Sequence, residues 1–172
     1  MKAEEIALLD IDFEVSKFEP DIKASFEYSL PWKSLSKEIL LTDDEEKFAK
    51  AVHWCGVGGN VTRTVYTGSY DAFVEYLLSI KEDILKGTFK LSTTQGFPDS
   101  HGKLVAPVSW VSKIAHIINP NDYPLIYDSR VRAAIGITNT EQYDAIITKL
   151  RPLVKERSEE ELYKLDSYFW AK

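Results

Sequence analysis

One segment in the second half of the chain constrains the fold most, because helix signals and stop signals alternate in it at short intervals. Apolar spacing predicts a helix over Val108–Ile118, which ends before Pro120 since a proline disfavours helical geometry in its predecessor. Asp128 is placed to cap a second helix, and Gly136 closes it. A tight turn between the two helices is expected to bring the Lys113 amine and the Asp128 carboxylate to one cleft.

Further helices follow from their own start and stop signals. Thr42-Asp43-Asp44-Glu45 and Ser158-Glu159-Glu160-Glu161 both have the Ser/Thr-x-x-Glu form of a capping box. Residues 69–86 give the clearest amphipathic helix, and residues 141–155 give another. Residues 88–107 contain two glycines and two prolines, which indicates a loop around a short helical turn.

The fold class is predicted to be mainly α. Residues 1–41 are interpreted as an irregular N-terminal part, because Pro20 and Pro31 interrupt any long element. Residues 42–172 then form a helical core with few alternating β-branched runs. A chain of 172 residues with 44% hydrophobic side chains is expected to form a single domain, a multi-helix bundle with a proper core.

Cysteine and histidine usage excludes several classes of site. The chain has one cysteine, Cys55, so it forms no internal disulfide and no cysteine-based zinc cluster. Its three histidines are far apart in the sequence, and no metal or cofactor is expected. There is no apolar run long enough to span a membrane and no secretory signal at the start, so we expect a soluble, cytoplasmic protein without a membrane partner.

The charge distribution is uneven. A formal net charge of −6 argues against a bulk electrostatic grip on nucleic acid, since phosphate neutralisation is the largest sequence-independent term. Residues 103–132 are nevertheless net positive. Their acidic residues are only Asp122 and Asp128, and their basic residues are Lys103, Lys113, Arg130 and Arg132.

Three pieces of sequence carry a resemblance to a known family. They are Ile126-Tyr127-Asp128-Ser129-Arg130-Val131, downstream of Lys113; Trp54-Cys55-Gly56-Val57-Gly58-Gly59-Asn60; and Leu165-Asp166-Ser167-Tyr168-Phe169-Trp170. Together they resemble the helix-hairpin-helix DNA glycosylase superfamily, and most closely its compact 8-oxoguanine-glycosylase-fold members. In that superfamily a lysine on the second helix of the hairpin precedes a Val-Asp-x-His-Val type motif. The resemblance covers roughly the last two thirds of the chain.

The resemblance implies a DNA N-glycosylase that excises a damaged or modified base, with AP-lyase activity. Lys113 is the implied nucleophile, which attacks the sugar C1′ and forms a Schiff base, and desolvation on its apolar helix keeps it partly neutral. Asp128 is the implied electrostatic partner, and the N–H groups at its cap are expected to keep it ionised. Candidate nucleic-acid contacts are Arg130, Arg132, Ser109 and Lys103. Candidate base-pocket residues are Trp110, Tyr127, Asn60 and Trp170.

The sequence departs from that superfamily at the hairpin. Members of the superfamily carry Leu-Pro-Gly-x-Gly before the lysine, whereas this chain has Pro107-Val108-Ser109-Trp110-Val111 without a glycine that allows close backbone approach to a phosphate. Three alternatives therefore stay open. In the first, Lys113 is a solvated surface lysine, Asp128 is only a helix cap, and the aromatic candidates are core residues. In the second, the protein is a non-catalytic module that binds nucleic acid or a protein partner. In the third, it is an accessory factor in a phage-defence system that recognises modified bases.

Overall fold

A computed structural model describes residues 1–56, 70–99 and 101–171 of the chain. The fold of these residues is mainly α, as predicted. The helices in chain order are α1 (Ala3–Ala7), α2 (Ile11–Ser16), α3 (Pro20–Leu40), α4 (Glu45–Gly56), α5 (Tyr70–Leu85), α6 (Val108–Ile118), α7 (Ser129–Ile135), α8 (Thr140–Val154) and α9 (Glu159–Ala171). A single 3-10 turn at Leu91–Thr93 and a short hairpin of β1 (Phe97–Pro98) and β2 (Leu104–Val105) separate α5 from α6 in the described part.

The prediction of an irregular N-terminal part is wrong, because residues 1–41 form α1, α2 and the 21-residue helix α3. Pro20 occupies the first turn of α3, where the missing N–H has no intrahelical acceptor to lose. The helix continues through position 31, although an interior proline costs about 3 kcal/mol. Helix α3 packs against α4, α6 and α9. This tertiary packing, which local sequence patterns do not reveal, outweighs the cost.

Most of the predicted helix ends are confirmed, with one change of capping residue. Helix α4 is capped by Asp44, whose Oδ1 accepts a hydrogen bond from the N–H of Lys47 at 3.0 Å, so Thr42 is not the N-cap. Instead, the Thr42 hydroxyl oxygen accepts from the N–H of Asp44 at 3.2 Å. The second capping box is present as predicted: Glu161 N–H donates to the Ser158 hydroxyl, and the Glu161 carboxylate accepts from Ser158 N–H.

The segment before α6 contains more structure than the sequence indicated. The predicted short helical turn is present at Leu91–Thr93, and the antiparallel hairpin that follows it was not predicted. Asp99 closes the hairpin, since its Oδ1 accepts from the N–H groups of both His101 and Lys103. Gly102 adopts φ +74°, a left-handed conformation that favours glycine. A strand of two residues leaves too little alternation for a sequence pattern to detect.

The core lies around α6, which packs against α3, α4 and α5. The apolar side chains of α6 are almost completely buried, including Val111, Ile114 and Ile117. Helix α9 supplies the opposite wall through its predicted inward residues, which are Leu162, Leu165 and Phe169. Lys113 lies on the largely buried helix α6, so most of its side chain is in an apolar environment.

Candidate functional site

Lys113 is half-buried where α6 meets the end of α4. Its Nζ donates a hydrogen bond to the carbonyl oxygen of Cys55 at 3.4 Å, in the last turn of α4. Carbonyl groups at a helix C-terminus favour a cation. Burial lowers the pKa of Lys113, and the Lys33 ammonium adds to this effect, while Cys55, Asp166 and Asp128 oppose it. The sequence-based expectation of a partly desolvated lysine agrees with this environment.

Asp128 lies at the start of α7 and acts as its N-cap, as predicted. One carboxylate oxygen accepts from the N–H of Val131 at 2.8 Å. Burial nevertheless raises the pKa of Asp128, and the nearby Asp166 carboxylate raises it further, against the opposing effects of the backbone donors and of Lys113. The cap alone was expected to favour the ionised form, so the direction of the shift shows that burial outweighs it.

The amine and the acid are near enough to shift each other's pKa slightly. The Lys113 ammonium favours the ionised form of Asp128, and the Asp128 carboxylate favours the charged form of Lys113. The Lys113 amine also donates to the Cys55 carbonyl oxygen, and the Asp128 carboxylate accepts from the N–H of Val131. Burial favours the neutral form of both groups, because it lowers the pKa of Lys113 and raises the pKa of Asp128.

A buried ion pair that the sequence did not reveal lies beside these groups. Lys33 Nζ is 2.9 Å from an oxygen of Asp166, and both side chains are at most 3% exposed. The same amine donates to the Ser167 hydroxyl at 3.0 Å and to the Tyr163 carbonyl oxygen at 3.2 Å. Burial works to raise the pKa of Asp166, but the Lys33 ammonium, with smaller contributions from His116 and the N–H of Ile126, lowers it overall.

A sequence signal for this pair existed. Phe26, Lys33 and Leu40 recur every seven residues on one face of α3, and all three are buried. A lysine in an otherwise apolar stripe indicates a buried partner of opposite charge. The sequence analysis interprets residues 1–41 as irregular and therefore does not assign Lys33 to a face of a helix.

Hydrogen bonds from this neighbourhood reach the turn that precedes Asp128. The other oxygen of Asp166 accepts from the N–H of Ile126 at 2.7 Å. The hydroxyl oxygen of Ser112, on α6, accepts from the N–H of Tyr127 at 2.9 Å. Side chains from α9 and α6 thus bind two consecutive backbone amides immediately before the acid.

His116 lies one turn from Lys113 and is completely buried. Its Nδ1 is 2.7 Å from the carbonyl oxygen of Tyr123, an acceptor, so Nδ1 carries the proton. Its Nε2 has no hydrogen-bond partner among the residues described. Burial lowers the pKa of His116 to about 4, and the imidazole is therefore neutral at physiological pH.

Two of the predicted base-pocket aromatics belong to the core. Trp110 is buried and packs edge-on against Phe73, with ring centroids 6.3 Å apart. Tyr127 is buried and packs edge-on against Tyr143 at 5.5 Å. These contacts fit the core alternative and provide no exposed stacking face. Asn60 lies outside the described residues.

The basic candidates flank Asp128. Arg130 is exposed; its guanidinium lies 4.7 Å from the ring centre of Trp170, which is 37% exposed, and donates to the Trp170 carbonyl oxygen at 3.1 Å. Arg132 donates to the hydroxyl of Tyr127 at 3.2 Å. Over the described ranges neither arginine forms an ion pair with a carboxylate.

The two remaining candidates lie closer to α6. Ser109 is half-buried in its first turn, where its carbonyl oxygen accepts from the Ser112 hydroxyl at 2.9 Å. Lys103 is exposed in the hairpin turn, where its N–H donates to Asp99. The structure therefore places Lys103 on a different element from the arginines.

Comparisons with protein-family models, with curated proteins and with solved structures found no match to this chain. No helix of the described ranges is both long enough and apolar enough to cross a bilayer. Within the same ranges, no group of three or more His, Cys, Asp or Glu side chains could hold a metal ion. The geometry and electrostatics around Lys113 and Asp128 are therefore the basis for a functional proposal.

Proposed function

We propose that this protein is a DNA N-glycosylase-like enzyme that excises a damaged or modified base and cleaves the resulting abasic site through Lys113. The observation that supports the proposal is the placement of a half-buried amine, on α6 at the end of α4, near a half-buried carboxylate that caps α7. Burial lowers the pKa of Lys113, so more of the amine is neutral and nucleophilic at a given pH.

The proposed chemistry begins with the N-glycosidic bond. The neutral Lys113 amine attacks C1′, a new N–C1′ bond forms, and the base leaves with the bonding electron pair and takes up the proton that the attacking nitrogen loses. Asp128 stabilises the positive charge that develops on the sugar. Opening of the sugar ring at the C1′–O4′ bond gives a Schiff base, and loss of a C2′ proton then eliminates the 3′ phosphate and breaks the strand.

For this reaction Lys113 must leave its present acceptor. The distance of 3.4 Å between Nζ and the Cys55 carbonyl oxygen is at the long end for a hydrogen bond, so the contact is weak. The target base must also leave the DNA stack, at a cost of a few kcal/mol. Arg130 lies in the first turn of α7, next to Asp128, and Arg132 lies one turn beyond Asp128, where the two can position the DNA phosphates.

Covalent trapping tests the proposal. Borohydride is added to the protein with duplexes that carry either a damaged base or an abasic site. We expect a covalent protein–DNA band with the wild type and with Lys149→Ala, which removes an exposed lysine of α8, and no band with Lys113→Ala. Absence of trapping and base release with the wild type, or an equal band with Lys113→Ala, contradicts the proposal.

A second candidate is a non-catalytic nucleic-acid-binding module. It is favoured by the exposed stack of Arg130 on Trp170 and by the contact of Lys113 with the end of α4, which is also a structural role. This candidate predicts DNA binding that weakens as salt increases, without base release and without covalent trapping. Equal DNA binding by the wild type and Lys113→Ala, with no trapping by either, supports the module over the enzyme, and loss of binding in Arg130→Ala at unchanged stability then locates the binding surface.

A further inference from the structure

The buried Lys33–Asp166 pair is connected to Asp128 through the backbone of one short turn. Asp166 accepts from the N–H of Ile126 at 2.7 Å, and the N–H of Asp128 donates to the carbonyl oxygen of Ile126 at 3.0 Å. We propose that Asp166, held in place by Lys33, is a positioning residue that fixes the Asp128 carboxylate relative to the Lys113 amine. The catalytic consequence of this inference rests on the proposed function.

The position of the turn is determined from two sides. The N–H groups of Ile126 and Tyr127 are consecutive, and their acceptors come from different helices, Asp166 on α9 and Ser112 on α6. Buried amides require such partners, and two adjacent ones bound from different directions leave the two peptide planes that flank Ile126 little freedom to rotate. The start of α7, and with it the Asp128 side chain, is therefore held against α6.

Helix α6 also carries the amine. Ser112, which binds the turn, is the immediate neighbour of Lys113, so the same helical turn holds both the acid-bearing loop and the amine. Displacement of the turn changes the separation of the two groups directly. A misplacement of about 1 Å in a site of this kind costs on the order of 100-fold in rate.

The Lys33–Asp166 pair is poorly explained by stability alone. A buried ion pair is often no more stabilising than apolar side chains of the same volume, because both charges must lose their hydration. What an apolar pair lacks is an acceptor for the N–H of Ile126. Lys33 supplies the positive charge that lowers the pKa of Asp166 and so maintains a strong acceptor in a buried place.

Two double variants separate the hydrogen bond from the charges. Lys33→Met with Asp166→Asn removes both charges but keeps an oxygen that accepts from Ile126 N–H. Lys33→Met with Asp166→Leu has nearly the same volume and no acceptor. Neither leaves a buried charge unpaired, and neither residue is the proposed nucleophile or the proposed acid.

The first measurement is amide hydrogen exchange by NMR at Ile126 and Tyr127. We expect native-like protection in the Asn variant and exchange at least about tenfold faster at Ile126 in the Leu variant. The second is base excision under single-turnover conditions. We expect the maximal rate constant to be on the order of 100-fold lower in the Leu variant, at a similar half-saturating DNA concentration, and nearly unchanged in the Asn variant. Equal exchange in the two variants overturns the inference.

Two further outcomes are distinguishable. If the wild type excises no base, the proposed function fails, and hydrogen exchange still decides whether Asp166 holds the turn. If the Leu variant does not fold, Lys33→Met with Asp166→Ala replaces it, because this smaller substitution also removes the acceptor of the Ile126 amide and leaves no buried charge. We then expect faster exchange at Ile126 than in the Asn variant with the global fold intact, and equal exchange there overturns the inference.

Discussion

The structure contains two lysine–aspartate arrangements, and they differ in burial and in whether the two charged groups touch. Lys33 and Asp166 contact each other directly at 2.9 Å, are almost fully buried and make further hydrogen bonds. Lys113 and Asp128 are half-buried, and each makes a hydrogen bond to a backbone group, Lys113 to Cys55 and Asp128 to Val131. The pKa values of both members of this second pair move toward neutrality because of burial.

The two arrangements have different physical consequences. The direct Lys33–Asp166 contact joins α3 to α9 in the core. Burial lowers the pKa of Lys113, so a larger fraction of its amine is neutral at a given pH, and the neutral amine is the nucleophilic form. The pair that a resemblance first suggested and the pair that only the structure revealed therefore have complementary roles in our interpretation.

The largest expected effect comes from removing one member of the directly contacting pair. Lys33→Met leaves the Asp166 carboxylate buried and unpaired, so we expect the free energy of unfolding to fall by about 3–5 kcal/mol. Lys113→Met replaces a half-buried lysine with an apolar side chain of similar length, and we expect a change within about 1 kcal/mol. Urea denaturation followed by circular dichroism measures both. Equal destabilisation would mean that the two lysines do not differ as described.

The next effect is the pH dependence of stability that the buried His116 causes. The pKa of His116 in the folded protein, about 4, is below its usual value of 6.5, so folding favours the neutral imidazole. The contribution of neutral His116 to the free energy of unfolding is fully present above pH 6.5. It is lost as the pH falls toward 4, by about 3 kcal/mol in total.

Denaturation curves of the wild type and of His116→Gln between pH 7 and pH 4 check this prediction. Glutamine does not titrate and keeps an N–H that can donate to the Tyr123 carbonyl oxygen, the present partner of the ring. The slope attributed to His116 should disappear in the variant. Parallel curves for the two proteins would show that another group causes the loss.

The smallest expected change in the free energy of unfolding comes from Asp128, whose substitution should affect activity instead. Asparagine caps a helix about as well as aspartate, so Asp128→Asn should change the free energy of unfolding by less than about 0.5 kcal/mol. Because it removes the negative charge beside the reacting sugar, we expect base excision to fall by on the order of 100-fold, about 2.7 kcal/mol. Single-turnover kinetics on a damaged duplex measures it. An unchanged rate would leave Asp128 with the role of a helix cap only.

Local signals in the sequence predicted much of the fold. The ends of α6 and α7 are set by Pro120, Asp128 and Gly136, and the start of α9 by the capping box at Ser158 and Glu161. Each signal acts through backbone geometry or a hydrogen bond that spans at most a few residues. Such interactions form between neighbours in the sequence whatever surrounds them, so they can be predicted from the sequence alone.

In the candidate site, too, local features follow from the sequence, whereas long-range contacts do not. The sequence by itself determined which helix carries Lys113, which helix mouth carries Asp128, and that the chain is mainly α. Only the tertiary structure decided that Lys33 meets Asp166, that Trp110 and Tyr127 pack in the core, and that burial raises the pKa of Asp128. The reason is physical: ion pairing and desolvation depend on side chains that are distant in sequence, 133 residues apart for Lys33 and Asp166, and no local pattern records which of them will meet.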